Sequence, residues 1–481
     1  MTTEYEAVIG LEVHLELSTQ SKVFCGCATR FGAEPNSQTC PVCLGLPGAL
    51  PVLNRKALGY GLRAALALNG TISPRIQFDR KNYFYPDLPK NYQISQYDLP
   101  IARGGFLEIT NGSIRKKVRM RRIHLEEDTG KLVHLEGENA SLIDFNRAGI
   151  PLLEIVSEPD LRSPEEAHLY LTTLKSILEY LEVSDCDMEK GSLRCDTNVS
   201  VRRPGSEALG VKVEIKNLNS FRGVRLALEY ETKRQIDVLD SGGTLTQETR
   251  LWDAEKGTTV PMRSKEYAHD YRYFPEPDLV PFLLTKDQIE SVRADLPELP
   301  AQRIERFLRD YELTPYDAGV LTAEKGLSDF FERCVGLWHH PKRIANWIIG
   351  PFLEKLKSFD SVLSFPVTPE RLVALLQLVE GGRVTHLAAK QVFEKMVESG
   401  GSPEEIVAQE KLARIDDESY LVQLVQEVIR ENQKSIGDYR GGKEQALMFL
   451  MGQVMRKTKG SADPARVSQL LKESLQEEIK K

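Results

Sequence analysis

Four of the seven cysteines fall within nineteen residues, as Cys25-Gly-Cys27 and then, twelve residues on, Cys40-Pro-Val-Cys43. Two thiols plus two at this spacing suit tetrahedral thiolate coordination of zinc. No fifth ligand or neighbouring base is implied, so the expected metal is structural. The bland alternative is four unrelated buried or free thiols, and their clustering argues against it.

A second set of residues is acidic. In residues 7–17 the odd positions Ala7, Ile9, Leu11, Val13, Leu15 and Leu17 are apolar, while Glu12, His14 and Glu16 stand between them. Residues 193–202 repeat the pattern, with Arg194, Asp196, Asn198, Ser200 and Arg202 on the polar side. Val211, Val213 and Ile215 alternate with Lys212, Glu214 and Lys216, and residues 150–156 present Glu154 beside apolar neighbours. Period-two alternation marks half-buried strands, expected here to form one mainly antiparallel sheet. Two readings stay open. Any half-buried strand shows charges to water at every second position. Alternatively, Glu12, His14, Glu127, Glu154, Asp196 and Glu214 converge on divalent cations, which carboxylate oxygens favour and ATP chemistry needs.

Other stretches are dense in charge. Phe78-Asp-Arg-Lys-Asn-Tyr-Phe-Tyr-Pro-Asp-Leu-Pro-Lys90 mixes aromatic and basic residues, as a packed loop or as the lining of a polar passage. Residues 115–122 are basic and lead into His124-Leu-Glu-Glu-Asp-Thr-Gly130, where Glu127 or Asp128 is a candidate metal ligand and the basic groups suit a phosphoryl group. Gly437-Asp-Tyr-Arg-Gly-Gly442-Lys443 has P-loop spacing, but Glu444 replaces the required Ser or Thr and no hydrophobic strand precedes it. It is read as a turn between helices. No dinucleotide-binding, zincin or hydrolase-elbow motif is present.

The elements that would position these residues divide near Pro297–Pro300. Before it, strand-like runs mix with a few helices; after it, the apolar spacing is helical. Ser163-Pro-Glu-Glu and Ser402-Pro-Glu-Glu offer helix N-caps with capping-box partners Glu166 and Glu405, and the second marks a further domain start.

At 481 residues, 41% hydrophobic and 28% charged, the chain predicts several folded domains and no bulk disorder. Its acidic start and the lack of any long apolar run predict a cytoplasmic protein without a membrane span. The net charge of −7 hides an asymmetry. Residues 430–481 hold eleven Lys/Arg against seven Asp/Glu, so a +4 tail follows a −11 body. A basic helix end, Met455-Arg-Lys-Thr-Lys-Gly460, suits RNA phosphates or simply its own helix dipole.

Taken together, Ile9-Gly-Leu-Glu-Val-His-Leu-Glu-Leu, Phe78-Asp-Arg-Lys-Asn-Tyr-Phe-Tyr-Pro-Asp, His124-Leu-Glu-Glu-Asp-Thr-Gly-Lys, Leu153-Glu-Ile-Val-Ser-Glu-Pro-Asp, Gly191-Ser-Leu-Arg-Cys-Asp-Thr-Asn and Glu214-Ile-Lys-Asn-Leu-Asn-Ser-Phe resemble the B subunits of the aspartyl/glutamyl-tRNA amidotransferases. The resemblance continues through Asp270-Tyr-Arg-Tyr-Phe-Pro-Glu-Pro-Asp to the tail and covers essentially the whole chain. It implies an α+β protein: a glutamine-synthetase-like antiparallel-sheet cradle domain with a zinc-binding insert over 1–293, an all-α helical domain over 294–401 and an all-α tRNA-binding tail over 402–481. It implies a heterotrimer, in which an amidase (the A subunit) releases ammonia from glutamine and a small third chain (the C subunit) joins the other two. The B chain then uses ATP to activate the side-chain carboxylate of misacylated tRNA as an acyl phosphate, which channelled ammonia attacks.

By the same resemblance, Glu12, His14, Glu127, Glu154, Asp196 and Glu214 are expected to hold magnesium ions, and Cys25, Cys27, Cys40 and Cys43 structural zinc. Lys81, Lys90 and Glu127 are expected where ammonia meets the reaction pocket, and Arg194, Lys212 and Lys216 at the ATP phosphates. Competing classes are a stand-alone RNA-binding scaffold and a free-standing ligase of small carboxylates. ATP hydrolysis stimulated by misacylated tRNA separates the scaffold from the amidotransferase.

Overall fold

The protein is seen in a computed structural model that describes residues 5–111, 114–135, 137, 140–264, 271–359, 361–441, 443 and 445–480. It divides into two compact units, Met1–Leu299 and Pro300–Lys481.

The first unit is built on a ten-stranded sheet. The strands that matter for chemistry are β1 (Glu6–Glu16), β2 (Asp79–Asn82), β3 (Tyr92–Ser95), β4 (Ile114–Glu127), β5 (Pro151–Ser157), β6 (Leu193–Arg202) and β7 (Val213–Lys216). In the large sheet the central order is β7-β6-β1-β5-β4, flanked by Glu248–Asp253 and Thr258–Ser264 beyond β7 and by short strands beyond β4. Its pairings are antiparallel except that of β7 with Glu248–Asp253. Val211 and Lys212, expected on the third alternating run, precede β7 and are exposed. β2 and β3 form a smaller sheet with Phe274–Pro275.

Alternation explains how the sheet divides its faces. Ile9, Leu11, Val13 and Leu15 of β1 are buried with Leu153 and Ile155 of β5 and with Ile123 and Leu125 of β4. The same core takes Ala57 and Ala64 of helix α1 (Arg55–Ala67), Leu174 and Leu178 of α2 (Pro164–Tyr180), and Val224 and Leu228 of α3 (Phe221–Asp240). Each fully buried aliphatic side chain contributes about 1.5–3 kcal/mol, so this face fixes the register of the other. α2 starts where expected, with Ser163 Oγ accepting from the Glu166 amide at 3.1 Å and Pro164 at its first turn. The reciprocal capping-box bond does not form. The Glu166 carboxylate instead accepts from the Arg162 amide at 2.7 Å and from Lys116 Nζ at 2.6 Å.

The 293/294 boundary shifts. Leu296 and Leu299 pack against the first core, and Pro300 opens the next helix, so the division falls at Leu299/Pro300. The second unit is helical and holds two apolar clusters, one from Phe307 to Leu412 and one from Leu421 to Leu475. Ser402 caps the helix Pro403–Glu410, accepting from the Glu405 amide at 3.2 Å. Yet Ile406 and Leu412 join the first of these clusters, so the expected domain start at 402 lies inside the middle helical core. The caps legible in sequence locate a helix start, not the core that the helix joins.

The glycine-rich stretch taken for a turn is partly helical, because Gly437 to Arg440 close the helix Gln433–Arg440. Gly442 and Glu444 lie outside the described residues, as does Asp270. Among the described residues no helix is long and apolar enough to cross a membrane.

Candidate functional site

The polar face of the sheet assembles a row of unlike charges. In the β-sheet register His14 on β1 faces Glu154 on β5, which faces His124 on β4. Two residues along β4, on the same face, stands Glu126. His14 Nε2 lies 3.5 Å from Glu154 Oε2 and 4.0 Å from Glu126 Oε1. His124 Nε2 lies 3.2 Å from Glu154 Oε2 and 3.4 Å from Glu126 Oε2. Ser95 Oγ, at the end of β3, donates to Glu126 Oε2 at 2.8 Å, and Arg122 Nη2 is 3.7 Å from Glu154 Oε1.

Burial opposes charge on both imidazoles, but the two carboxylates outweigh it. His14 is raised, and His124 is raised to about 9. Burial likewise opposes charge on Glu126 and Glu154, yet the imidazoles, with Lys81 as a further cation beside Glu126, hold both below the usual carboxylate range. His14 is the open member of the set, its side chain 22% exposed, while the others are buried.

One ligand atom each from His14, Glu126 and Glu154 falls within a common 4.8 Å. Two carboxylates and an imidazole converging at that spacing fit a hard divalent cation that completes its shell with water or phosphate oxygens.

The other acids expected to join them are divided. Glu12 faces Asp196 across β1 and β6, but its Oε1 accepts from Asn198 Nδ2 at 2.9 Å. Asp196 and Glu214 close on Lys216 instead, at 2.8 and 3.2 Å, and Thr249 Oγ1 donates to Glu214 at 2.9 Å. Burial opposes the Lys216 charge; the two acids prevail and raise its pKa. An ammonium thus stands between two of the expected metal ligands. Arg194, opposite His14, donates to Asp128 Oδ2 at 2.6 Å. Lys212 lines a cavity of about 210 Å³ with Glu12, Arg121, Val156, Asn198 and Leu209.

Most of the basic run before His124 is spent on ion pairs, Arg119 with Asp160 at 2.7 Å and Lys116 with Glu166 at 2.6 Å among them. In the tail, Lys457 pairs with Glu427 and Glu431 at 2.6 and 2.9 Å.

Glu127 does not converge with this set. Adjacent strand residues point to opposite faces, so Glu127, next to Glu126, projects to the other side of the sheet. There Lys90 Nζ donates to Glu127 Oε2 at 2.6 Å and to Oε1 as well, and the Ile94 amide donates to Oε1 at 2.8 Å. The pair is buried, with side chains 6% and 4% exposed. Lys81, grouped with this pair in the sequence reading, lies on β2 with its Nζ 5.0 Å from the Tyr271 ring and 5.8 Å from that of Tyr83. Burial works against its charge, but Glu126 and Glu154, with nearby tyrosines, raise its pKa, so it belongs with the His14 cluster.

The sequence reading thus missed Glu126 and His124 as members of the cluster. Parity along β4 was the available signal: with Ile123 and Leu125 inward, His124 and Glu126 must share the polar face.

The four cysteines meet as expected. Their sulfurs lie within 4.8 Å of one another, with Cys40 and Cys43 Sγ 3.9 Å apart. Zinc–sulfur bonds of about 2.3 Å give a tetrahedron edge of about 3.8 Å, so the set fits zinc. All four are free of disulfides. The Cys43 thiol is pushed down to about 4, first by its hydrogen bond with Cys25 and, against burial, by the Cys40 backbone and the nearby Lys22 ammonium.

Fold and site define an α+β protein that gathers two carboxylates and two imidazoles on a sheet face in one unit and carries a helical second unit. Residues 7–290 match the GatB/GatE catalytic domain family, and residues 329–475 match the GatB domain. The chain is 57% identical over 476 residues to the B subunit of the aspartyl/glutamyl-tRNA(Asn/Gln) amidotransferase of Caldanaerobacter subterraneus subsp. tengcongensis, covering 98% of this chain and 99% of that one. It is 54% identical over 477 residues to the protein of the same name from Carboxydothermus hydrogenoformans, and 51% over 477 residues to that from Caldicellulosiruptor saccharolyticus, with 98% of this chain and 99% of each relative covered. The chain belongs to the family of aspartyl/glutamyl-tRNA(Asn/Gln) amidotransferase B subunits.

Proposed function

We infer that this chain is the ATP-using subunit of a glutamine-dependent amidotransferase, converting Asp-tRNA(Asn), Glu-tRNA(Gln) or both into Asn-tRNA(Asn) and Gln-tRNA(Gln). The observation that carries the reading is the His14, Glu126 and Glu154 cluster on the polar sheet face, with Lys81 beside it, in a chain of this family. The chemistry demands such a site. A free carboxylate does not accept ammonia at neutral pH, because its oxygen is a poor leaving group. The substrate carboxylate oxygen attacks the γ-phosphorus of ATP and ADP leaves; ammonia then attacks the acyl carbon, phosphate leaves, and the nitrogen loses a proton.

His14, Glu126 and Glu154 would hold the magnesium ion, which supplies charge neutralisation at the transferring phosphoryl group. Lys81 and Arg122 place further positive charge at this face, and Arg194, Lys212 and Lys216 are assigned to the ATP phosphates. For Lys216 that role means exchanging Asp196 and Glu214 for phosphate oxygens, or sharing them through a second cation held with Glu12. Lys90 and Glu127 are assigned to the passage through which ammonia arrives from the amidase, the A subunit, in a complex that also holds the small C subunit. Zinc at the cysteine quartet is structural. The basic tail is assigned to the tRNA body, by phosphate and shape more than by bases. ATP and charged tRNA are cytoplasmic, and we place the chain there.

Amide formation on both misacylated tRNAs tests this, with ATP and ammonium chloride supplied to the reconstituted complex. We expect product and one ADP per amide from the parent. His14→Ala should lower amide formation at least about 100-fold, as removal of a metal worth several kcal/mol predicts, while glutamine hydrolysis survives. Undiminished product in His14→Ala would leave the chain a tRNA-holding scaffold.

A further inference from the structure

Two of the four cysteines, Cys25 and Cys43, share one cavity with the Lys90–Glu127 pair, lined also by Lys22 and Gly45. We propose that the cysteine knuckle is a positioning element for that pair: the turn from Cys40 to Gly45 is the wall against which the Lys90 stem is held, so metal at the four thiolates sets the geometry of the pair. The proposal rests on the assignment of the pair to the ammonia passage.

One close approach, at Gly45, carries it, and ordinary packing contacts at Gly149 join the same parts. Gly45, at φ +68°, leaves no room for a side chain, since a Cβ there would overlap Lys90 Cγ and lie 3.0 Å from Cδ. The turn that presents Gly45 is wound by Leu44 N donating to Cys40 O at 3.1 Å and Gly45 N to Val42 O at 3.0 Å, and the Cys40 amide donates to Cys43 Sγ at 3.1 Å. The position of Gly45 therefore follows that of the two thiols.

On the other side stands Gly149, at φ +85°, where a Cβ would lie 3.5 Å from both Cys43 Cβ and Lys22 Cδ and 3.9 Å from Glu127 Oε2. Gly149 N donates to Asp128 O at 2.9 Å, next in sequence to Glu127, and the Val23 amide donates to Gly149 O at 2.9 Å. Lys22, fully buried, reaches from this junction to the thiols, its Nζ 3.7 Å from Cys43 Sγ and 3.2 Å from Phe145 O.

The charges couple the parts as well. Zinc with four thiolates carries a net negative charge, which a buried lysine offsets. Without the metal the turn loses the bonds that hold its four sulfurs together. Gly45 then no longer pins the Lys90 stem over Glu127.

The experiment compares glutamine-driven with ammonium-driven amide formation in the reconstituted complex for the parent, Gly45→Ala, Cys43→Ser and Lys90→Met. Zinc content and hydrogen exchange at the Ile94 amide, which is bonded to Glu127, are measured alongside. We expect Gly45→Ala to keep its zinc and its ammonium-driven rate, to lose at least fivefold in the glutamine-driven rate, and to exchange faster at Ile94. Cys43→Ser should lose zinc and show the same change in the ratio of rates. Parental ratios and parental exchange in Gly45→Ala, with Lys90→Met showing the altered ratio, would overturn the role of the knuckle alone. A parental ratio in Lys90→Met, with faster Ile94 exchange in Gly45→Ala, would instead remove the passage assignment and leave the knuckle as the wall that positions the pair.

Discussion

Glu126 and Glu127 are neighbours in the chain, yet they sit in different chemistry. Glu126 faces two imidazoles, a second carboxylate and a serine hydroxyl on the polar side of the sheet, where the donor set is incomplete and open through His14. Glu127 faces one lysine and one backbone amide on the core side, where its charge is matched. The first surrounding sets two carboxylates among two imidazoles, groups that can each serve as ligands; the second closes one carboxylate on one ammonium. One strand thus serves the carboxylate–imidazole cluster and a closed ion pair with consecutive residues, at a spacing set only by the pleat.

Two substitutions bracket this contrast. The largest effect is expected from Glu154→Ala, which removes the carboxylate nearest both imidazoles. It should reduce glutamine-driven and ammonium-driven amide formation alike, at least about 100-fold, because loss of a bound cation affects the phosphoryl step for either nitrogen source. Steady-state rates with each donor check this, and a fall with glutamine alone would move Glu154 to the passage. A smaller effect is expected in stability. His124 has a folded pKa of about 9, raised from 6.5, so in the metal-free protein its charge stabilises the fold fully below pH 6.5. That contribution, on the order of a few kcal/mol, disappears as pH rises through about 9. The stability gap between parent and His124→Gln in urea unfolding should therefore shrink from pH 6 to pH 9.5, and a gap that widens would contradict the assigned surroundings.

The sequence made much of this legible, for identifiable reasons. Runs such as residues 193–202 announce themselves because one face must be apolar, and the cysteine quartet because tetrahedral coordination demands near spacing within each pair. The acid cluster was legible as a set of charges but not as a partition. Which of Glu126 and Glu127 shares the His124 face follows from strand parity, whereas the pairing of Lys216 with Asp196 depends on sheet register. The first could be read from Ile123 and Leu125 in the same run; the second is not written in the spacing of a single run. The start of the helix at Pro403 was visible through Ser402, but its membership of the middle core was not, since packing partners are set by contacts distant in sequence such as that of Ile406.

The most direct measurement is a paired one: Glu126→Gln and Glu127→Gln, each assayed with glutamine and with ammonium chloride as nitrogen source. Division of labour between the two faces predicts that Glu126→Gln loses amide formation with both sources, whereas Glu127→Gln loses it mainly with glutamine. Equal loss with both sources in Glu127→Gln would contradict that division and return Glu127 to the metal site.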